Sequence, residues 1–199
     1  MASATLPPAS LAPAILGKRL IHDGWSRFMV ARVRLPDGTE VDREIEDHGT
    51  AVCVLPYDPE RRVATLVRQF RPSVCMMSGE TDLLEAPAGL REAGEDKDAT
   101  ARREVLEEAG LAIDALELVV DGWSMPGVST ERMAHYLAPY RAADRVAAGG
   151  GLDEENEQIT VVELPLADLA AMAAAGTLTD IKTLLCLMAL QVRHPALFA

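Results

Sequence analysis

Glu104, Glu107 and Glu108 stand close together in the chain, and at about 100° per residue along a helix they project into one narrow sector. Glu104 and Glu108 are at i, i+4, where like charges repel by roughly a few tenths of a kcal/mol unless a cation answers them. Arg103 precedes Glu107 by four residues and can hold it as an ion pair. The other two offer hard oxygen ligands on one face, which suits a divalent ion such as Mg²⁺, an ion that takes carboxylates together with waters and substrate phosphates. The plain alternative is a solvated acidic helix face, and the helix residues alone leave both open. A second acidic run, Asp153-Glu154-Glu155-Asn156-Glu157, reads either as a solvated loop or as part of a catalytic lid. His22, His48, His135 and His194 have no H-E-x-x-H spacing and no convincing nucleophile partner. Gly149–Gly151 lacks the G-K-[ST] ending of a phosphate loop and reads as a flexible hinge.

The elements that must position these groups follow from hydrophobic period. Ala101, Val105 and Ala109 recur every four residues, so a helix is expected from Asp98 to Ala109, stopped by Gly110. Before it, strand patterns run from Trp25 to Leu35 and from Val41 to Ile45 around Pro36-Asp37-Gly38, a hairpin signal. The apolar runs Ala51–Leu55 and Val63–Val67 read as paired strands, with a further short strand at Leu83–Ala86. Strand patterns return at Leu116–Val120, His135–Ala138 and Ile159–Leu164, and helical patterns close the chain at Ala167–Ala175 and Lys182–Arg193. Strands, helix, strands and helices in that order make an α/β fold, a mixed sheet with helices on its faces.

The 199 residues, 49% apolar and 25% charged, suit a globular chain with a real core and exclude disorder as the overall state. With 31 acidic against 19 basic side chains the net charge is −12, which argues against a duplex nucleic-acid binder. Cys53, Cys75 and Cys186 form no C-x-x-C pair and read as reduced thiols in a cytoplasmic protein. Met1–Leu16 has no cation before Lys18, unlike a secretory signal, and residues 1–20 are expected to be a loose tail. The apolar stretches near the end are broken by Asp168 and Lys182, so no membrane span is expected.

Placed in its surroundings, the acidic helix becomes specific. Gly89, five residues, Glu95, seven residues, Arg103-Glu104-Val105, one residue, Glu107-Glu108, one residue and Gly110-Leu111 resemble the Nudix hydrolase signature at every defined position. Pro126, fifteen residues after Leu111 within Ser124-Met125-Pro126-Gly127, is similar to the ADP-ribose and nucleotide-sugar pyrophosphatase branch. Ala148-Gly149-Gly150-Gly151-Leu152, Glu155-Asn156-Glu157-Gln158-Ile159 and Val162-Glu163-Leu164-Pro165 resemble the GDP-mannose pyrophosphatase group, as do Val67-Arg68-Gln69-Phe70-Arg71 and Asp180-Ile181-Lys182-Thr183. The similarity runs from about Asp23 to Gln191.

The resemblance implies a Nudix α/β/α sandwich with a mixed central sheet and an N-terminal antiparallel hairpin region. Residues 21–48 would form the hairpin region, a dimer arm, and residues 49–199 the hydrolase domain. It implies Mg²⁺, with Mn²⁺ as a substitute, held by Glu104, Glu108, the Ala88 carbonyl and Glu157. Glu157 would be a ligand or the base that activates water, and Arg103 would orient Glu107. Gly89 and Leu90 would lie beside the substrate; Arg71, Glu131 and Lys182 match substrate-contacting positions. Trp25, Arg43 and Glu44 match positions that build a site shared across a homodimer, with Trp25 stacking on the nucleobase. Taken alone, Trp25 could be core, Arg71 a surface ion pair and Lys182 a snorkelling side chain. Asn156 and Gln158 replace acids found in relatives of this type, which bears on the number of metals.

The implied reaction is hydrolysis of the pyrophosphate bond of a nucleoside diphosphate sugar, GDP-mannose or ADP-ribose, to a nucleoside monophosphate and a sugar phosphate. The alternatives are a house-cleaning nucleoside triphosphate pyrophosphohydrolase and a non-catalytic ADP-ribose sensor. Gly89–Leu111 carries seven acids against four bases and Asp153–Glu157 four more acids, so more than half of the net charge sits in these two segments. That acidity predicts an anionic substrate that binds productively only with a metal.

Overall fold

The computed structural model describes residues 11–152 and 158–199. The described residues divide into two units, residues 11–49 with Trp123–Glu131, and Thr50–Gly122 with residues 132–152 and 158–199. The first unit is built on a three-stranded antiparallel sheet of β1 (Ala14–Asp23), β2 (Arg27–Arg34) and β3 (Glu40–Asp47), in that order. The Pro36-Asp37-Gly38 turn joins β2 to β3 as expected, with Gly38 at φ 87°. The loose tail expected through residue 20 is corrected: β1 begins at Ala14 and pairs with β2 from Ala14↔Arg34 to Asp23↔Arg27. Its residues alternate no better than a tail would, and pairing with β2 is what makes it a strand.

The second unit holds β4 (Thr50–Asp58), β5 (Val63–Gln69), α1 (Pro72–Ser78), β6 (Leu83–Glu85), β7 (Ala88–Leu90), α2 (Lys97–Ala109), β8 (Glu117–Trp123), β9 (Arg132–Pro139), β10 (Thr160–Pro165), α3 (Leu166–Ala175) and α4 (Ile181–Arg193). The sheet order is β10-β5-β4-β9-β8, with β4 and β9 parallel and the other described pairs antiparallel. Two-residue alternation explains the layers. Val52 and Val54 of β4 and Ala134, Tyr136 and Ala138 of β9 pack with Ala101, Val105 and Ala109 of α2. Cys53, Leu55 and Tyr57 point the other way, with Leu137, toward Leu166 and Leu169 of α3 and Leu187 and Leu190 of α4. Each fully buried leucine contributes about 2 kcal/mol. The result is the expected mixed α/β sandwich.

β4 and β5 pair at Tyr57↔Ala64 and Asp58↔Val63, beside their turn, and then part. The gap takes β6, the short strand expected at Leu83–Ala86, against β5 (Val67↔Glu85), and β7, too brief to show a period of its own, against β4 (Cys53↔Ala88). This wedge sets Ala88, Gly89 and Leu90 against Glu108, Glu104 and Arg103 of α2. Among the described residues no helix is long and apolar enough to cross a membrane.

Candidate active site

α2 starts where Asp96 Oδ1 accepts the backbone N–H groups of Asp98 and Ala99, both at 2.9 Å, a cap that typically contributes about 1 kcal/mol. It ends at Gly110 (φ 69°), whose N–H donates to Leu106 O at 3.0 Å. The segment read as a flexible hinge closes this end instead: Gly150 N–H donates to Glu108 O at 2.9 Å and Gly151 N–H to Glu107 O at 3.1 Å. Gly149 lies so close that a Cβ there would stand 2.5 Å from Glu108 O, so the glycine run is a helix terminus clasp, not a hinge.

The helix turns Glu104 and Glu108 inward, 8% and 2% exposed, and leaves Glu107 half-buried. Glu108 Oε2 accepts the Ala88 N–H at 3.1 Å, and Glu104 Oε1 lies 2.8 Å from Arg103 Nη1. Gly89 is required here by space: a Cβ would stand 2.1 Å from the Glu104 carboxyl carbon, so the carboxylate rests directly on the strand backbone. Arg103 also reaches Glu107 (2.9 Å), both Glu95 oxygens (3.2 Å) and the Leu90 carbonyl (3.1 Å), tying helix to strand and loop. Its carboxylate neighbours outweigh burial and raise its pKa.

Glu104, seated on the Gly89 backbone, and Glu108, one turn on and holding the Ala88 N–H, lie on the same buried face of α2, and this oxygen donor set fits a hard divalent cation. Among the described residues no group of three or more metal-ligating side chains occurs. Glu157, expected to join them, lies outside the described residues.

Arg71 and Lys182 are brought together by a residue that sequence reasoning overlooked. Glu85, fully buried at the end of β6, accepts Arg71 Nε at 2.7 Å and Nη2 at 2.8 Å, and also binds Lys182 Nζ. Lys182 donates to Asp180 Oδ1 at 3.0 Å, while Asp180 Oδ2 caps α4 through Thr183 N at 3.1 Å. Burial pushes the Glu85 carboxyl up, but Arg71 and Lys182 prevail and hold it below the ordinary carboxylate range. Burial likewise opposes the Lys182 charge, and Glu85 and Asp180 prevail to raise its pKa. Glu108 contributes to the field at Arg71, so this cluster adjoins the α2 carboxylates. An acid inside the apolar run Leu83–Ala86 was the signal: a buried charge there demands a cation.

In the N-terminal unit, Trp25 is 78% exposed and stacks on His48, centroids 5.1 Å apart and planes 20° from parallel. His48 Nε2 lies 2.9 Å from Glu131 Oε1, and Nδ1 contacts Glu46 Oε1. Thus Trp25 and Glu131 are joined through a histidine in which the sequence showed neither metal-site spacing nor a nucleophile partner. Arg43 and Glu44 are exposed on β3, with Arg43 Nη1 donating to Asp42 O at 3.1 Å; no contact draws them to Trp25 among those resolved.

Comparison with known proteins agrees with this arrangement. The NUDIX domain profile matches residues 47–183. A GDP-mannose pyrophosphatase of Cronobacter sakazakii is 36% identical over 153 residues, 76% of this chain and 78% of that protein. A GDP-mannose pyrophosphatase of Klebsiella pneumoniae is 32% identical over 188 residues, 92% of this chain and 93% of that protein. Among solved structures, an ADP compounds hydrolase superposes with TM-score 0.75 over 96% of this chain and 98% of that one, at 18% identity, a likeness of fold. With the profile spanning most of the chain and the Glu104, Glu107 and Glu108 helix inside it, this chain belongs to the Nudix family.

Proposed function

We propose that this protein hydrolyses the pyrophosphate bond of a nucleoside diphosphate sugar, GDP-mannose before ADP-ribose, to a nucleoside monophosphate and a sugar phosphate. The observation that carries the reading is the buried Glu104 and Glu108, the first seated on Gly89 and braced by Arg103, the second holding the Ala88 N–H. The preference for GDP-mannose rests on the relatives that bear that name. Glu104, Glu108, the Ala88 carbonyl and Glu157 would hold a divalent cation, Mg²⁺ or in its place Mn²⁺. Such an ion supplies positive charge against the diphosphate oxygens.

The chain's own residues do the rest. Arg103 fixes Glu107 and Glu104 relative to the Leu90 carbonyl, so the carboxylates enter the reaction already oriented. Glu157 takes the proton of the attacking water or completes the ligand set. Arg71 and Lys182, held side by side by Glu85, would offer their remaining N–H donors to a phosphate. Trp25 offers an exposed ring face to the base, and Glu131 is a further substrate-contacting residue.

A homodimer with shared sites accompanies this reading, with Arg43 and Glu44 serving the neighbour's pocket. Ile15, Leu16, Leu20 and Ile21 are exposed on β1, an apolar strand that a partner would cover. A monomer in light scattering would count against it. Three free cysteines suit a reducing cytoplasm.

Product analysis with GDP-mannose, ADP-ribose, UDP-glucose, NADH and nucleoside triphosphates at fixed Mg²⁺ tests the function. GMP and mannose 1-phosphate from GDP-mannose are expected. Turnover of triphosphates alone would move the protein to the house-cleaning class, and binding without turnover to the sensors.

A further inference from the structure

His48 is held more elaborately than a histidine at the end of a strand requires. Glu46, two residues earlier, meets Nδ1 and Glu131, from a distant segment, meets Nε2; all three side chains are mostly buried, at 16%, 24% and 13% exposure for His48, Glu46 and Glu131. A neutral imidazole owns one N–H and can satisfy one of these carboxylates, while turning a lone pair toward the other. An imidazolium donates to both. The frame around it is closed: Ser129 Oγ donates to Glu46 Oε2 at 2.8 Å and accepts the Glu131 N–H at 3.1 Å. Glu46 N–H donates to Val128 O at 2.8 Å, and Thr130 N–H to Glu46 O at 3.0 Å.

The charged ring carries the Trp25 indole on its face, in the geometry by which a cation is attracted to an aromatic quadrupole. The indole is 78% exposed, which leaves ring surface open to another ring. Glu46 faces His48 from β3 and Glu131 from the 123–131 segment; the neighbouring Asp47 is committed to Thr130 and Arg27. Burial alone would favour neutral His48, yet the two carboxylates prevail and raise its pKa.

We propose that His48 is a positioning residue: as an imidazolium bridging Glu46 and Glu131 it holds Trp25 as a stacking platform for the nucleobase, and losing its proton weakens nucleotide binding. The proposal rests on the reading of Trp25 as the base platform. Base recognition then falls with rising pH while the chemical step, carried by α2, is untouched by this residue. Protonation also draws electron density from the indole and improves its stacking on an electron-rich purine.

GMP binding to the full-length protein, followed by calorimetry between about pH 6 and 8.5, separates the possibilities. For the wild type, affinity is expected to fall about tenfold across this range, the size of one base stacking contact. Trp25→Ala should lose about the same factor at low pH. His48→Gln, which keeps one hydrogen bond and cannot titrate, should bind weakly and independently of pH. In turnover assays its defect should appear in KM, with kcat retained. If Trp25→Ala binds GMP like wild type, the platform reading itself fails. If Trp25→Ala is weakened but His48→Gln keeps the wild-type pH profile, the role of His48 is overturned and the platform stands. NMR titration of the wild-type imidazole gives an answer that needs no variant: an apparent pKa at or below the ordinary histidine value would also overturn it.

Discussion

Replacing Gly89 with alanine adds one methyl group at the centre of the site. The new Cβ would stand 2.1 Å from both the carboxyl carbon and Oε1 of Glu104, whereas unbonded atoms settle at about 3.5–4 Å. Glu104 must therefore retreat by more than an ångström. The movement is possible because the clash is with the far end of a flexible side chain. Its cost to stability includes the contact between Glu104 and Arg103, and Arg103 retains Glu95, Glu107 and the Leu90 carbonyl. Losing one such contact costs about 1 kcal/mol, and alanine returns about half of that by restricting the unfolded chain. Catalysis has no such compensation, since a displacement of about 1 Å in a positioned group costs about 10²-fold, or about 2.7 kcal/mol of barrier. Gly89→Ala should thus melt within a few degrees of wild type yet hydrolyse GDP-mannose about 100-fold more slowly at saturating Mg²⁺. The assay is kcat/KM beside a thermal melt. Wild-type turnover, or loss of activity that merely follows loss of fold, would refute the placement of Glu104 on the Gly89 backbone as part of the machinery.

Glu108→Gln, measured at saturating Mg²⁺, is expected to lose turnover by orders of magnitude with its fold kept by circular dichroism, and an unchanged rate would remove Glu108 from the site. Glu85→Ala leaves Lys182 with Asp180 alone and Arg71, 39% exposed, to solvent, and should destabilise by about 2–3 kcal/mol in denaturant titration, below the range for a fully buried unpaired charge. Because the folded-state pKa of Glu85 is lowered, its contribution is full above the ordinary glutamate value of about 4.3 and disappears as pH falls through the lower folded value. The acid limb of wild-type stability should therefore be steeper than that of Glu85→Gln. Gly149→Ala, with φ 74° and backbone of Glu108 and Ala109 at 2.5 and 2.7 Å from the new Cβ, should cost about 2 kcal/mol or more and loosen the end of α2, read as faster amide exchange there.

The acidic helix was legible because its evidence is local. The four-residue recurrence of Ala101, Val105 and Ala109 orients the buried face, and that same geometry turns Glu104 and Glu108 inward. The β2 and β3 hairpin was legible for a similar reason, its turn residues lying beside one another. β1 was not, since nothing in Ala14–Asp23 distinguishes a strand from a tail until β2 pairs with it. β6 and β7 together fill the parting of β4 and β5, and β7 escaped notice because three residues carry no period.

The chain by itself determined the spacing of the Nudix signature, the sidedness of α2 and the alternation that layers the sandwich, all consequences of backbone repeats of 3.6 and 2 residues. The tertiary structure alone decided which charge answers which. Glu85 and Lys182 are 97 positions apart, and His48 and Glu131 83, so their pairing depends on where the sheet and its loops fold back. The same holds for Gly149–Gly151, whose freedom looked like a hinge and is spent on close approach to the end of α2. Local repeats set which residues face inward; the cost of burying an uncompensated charge sets which of them must meet.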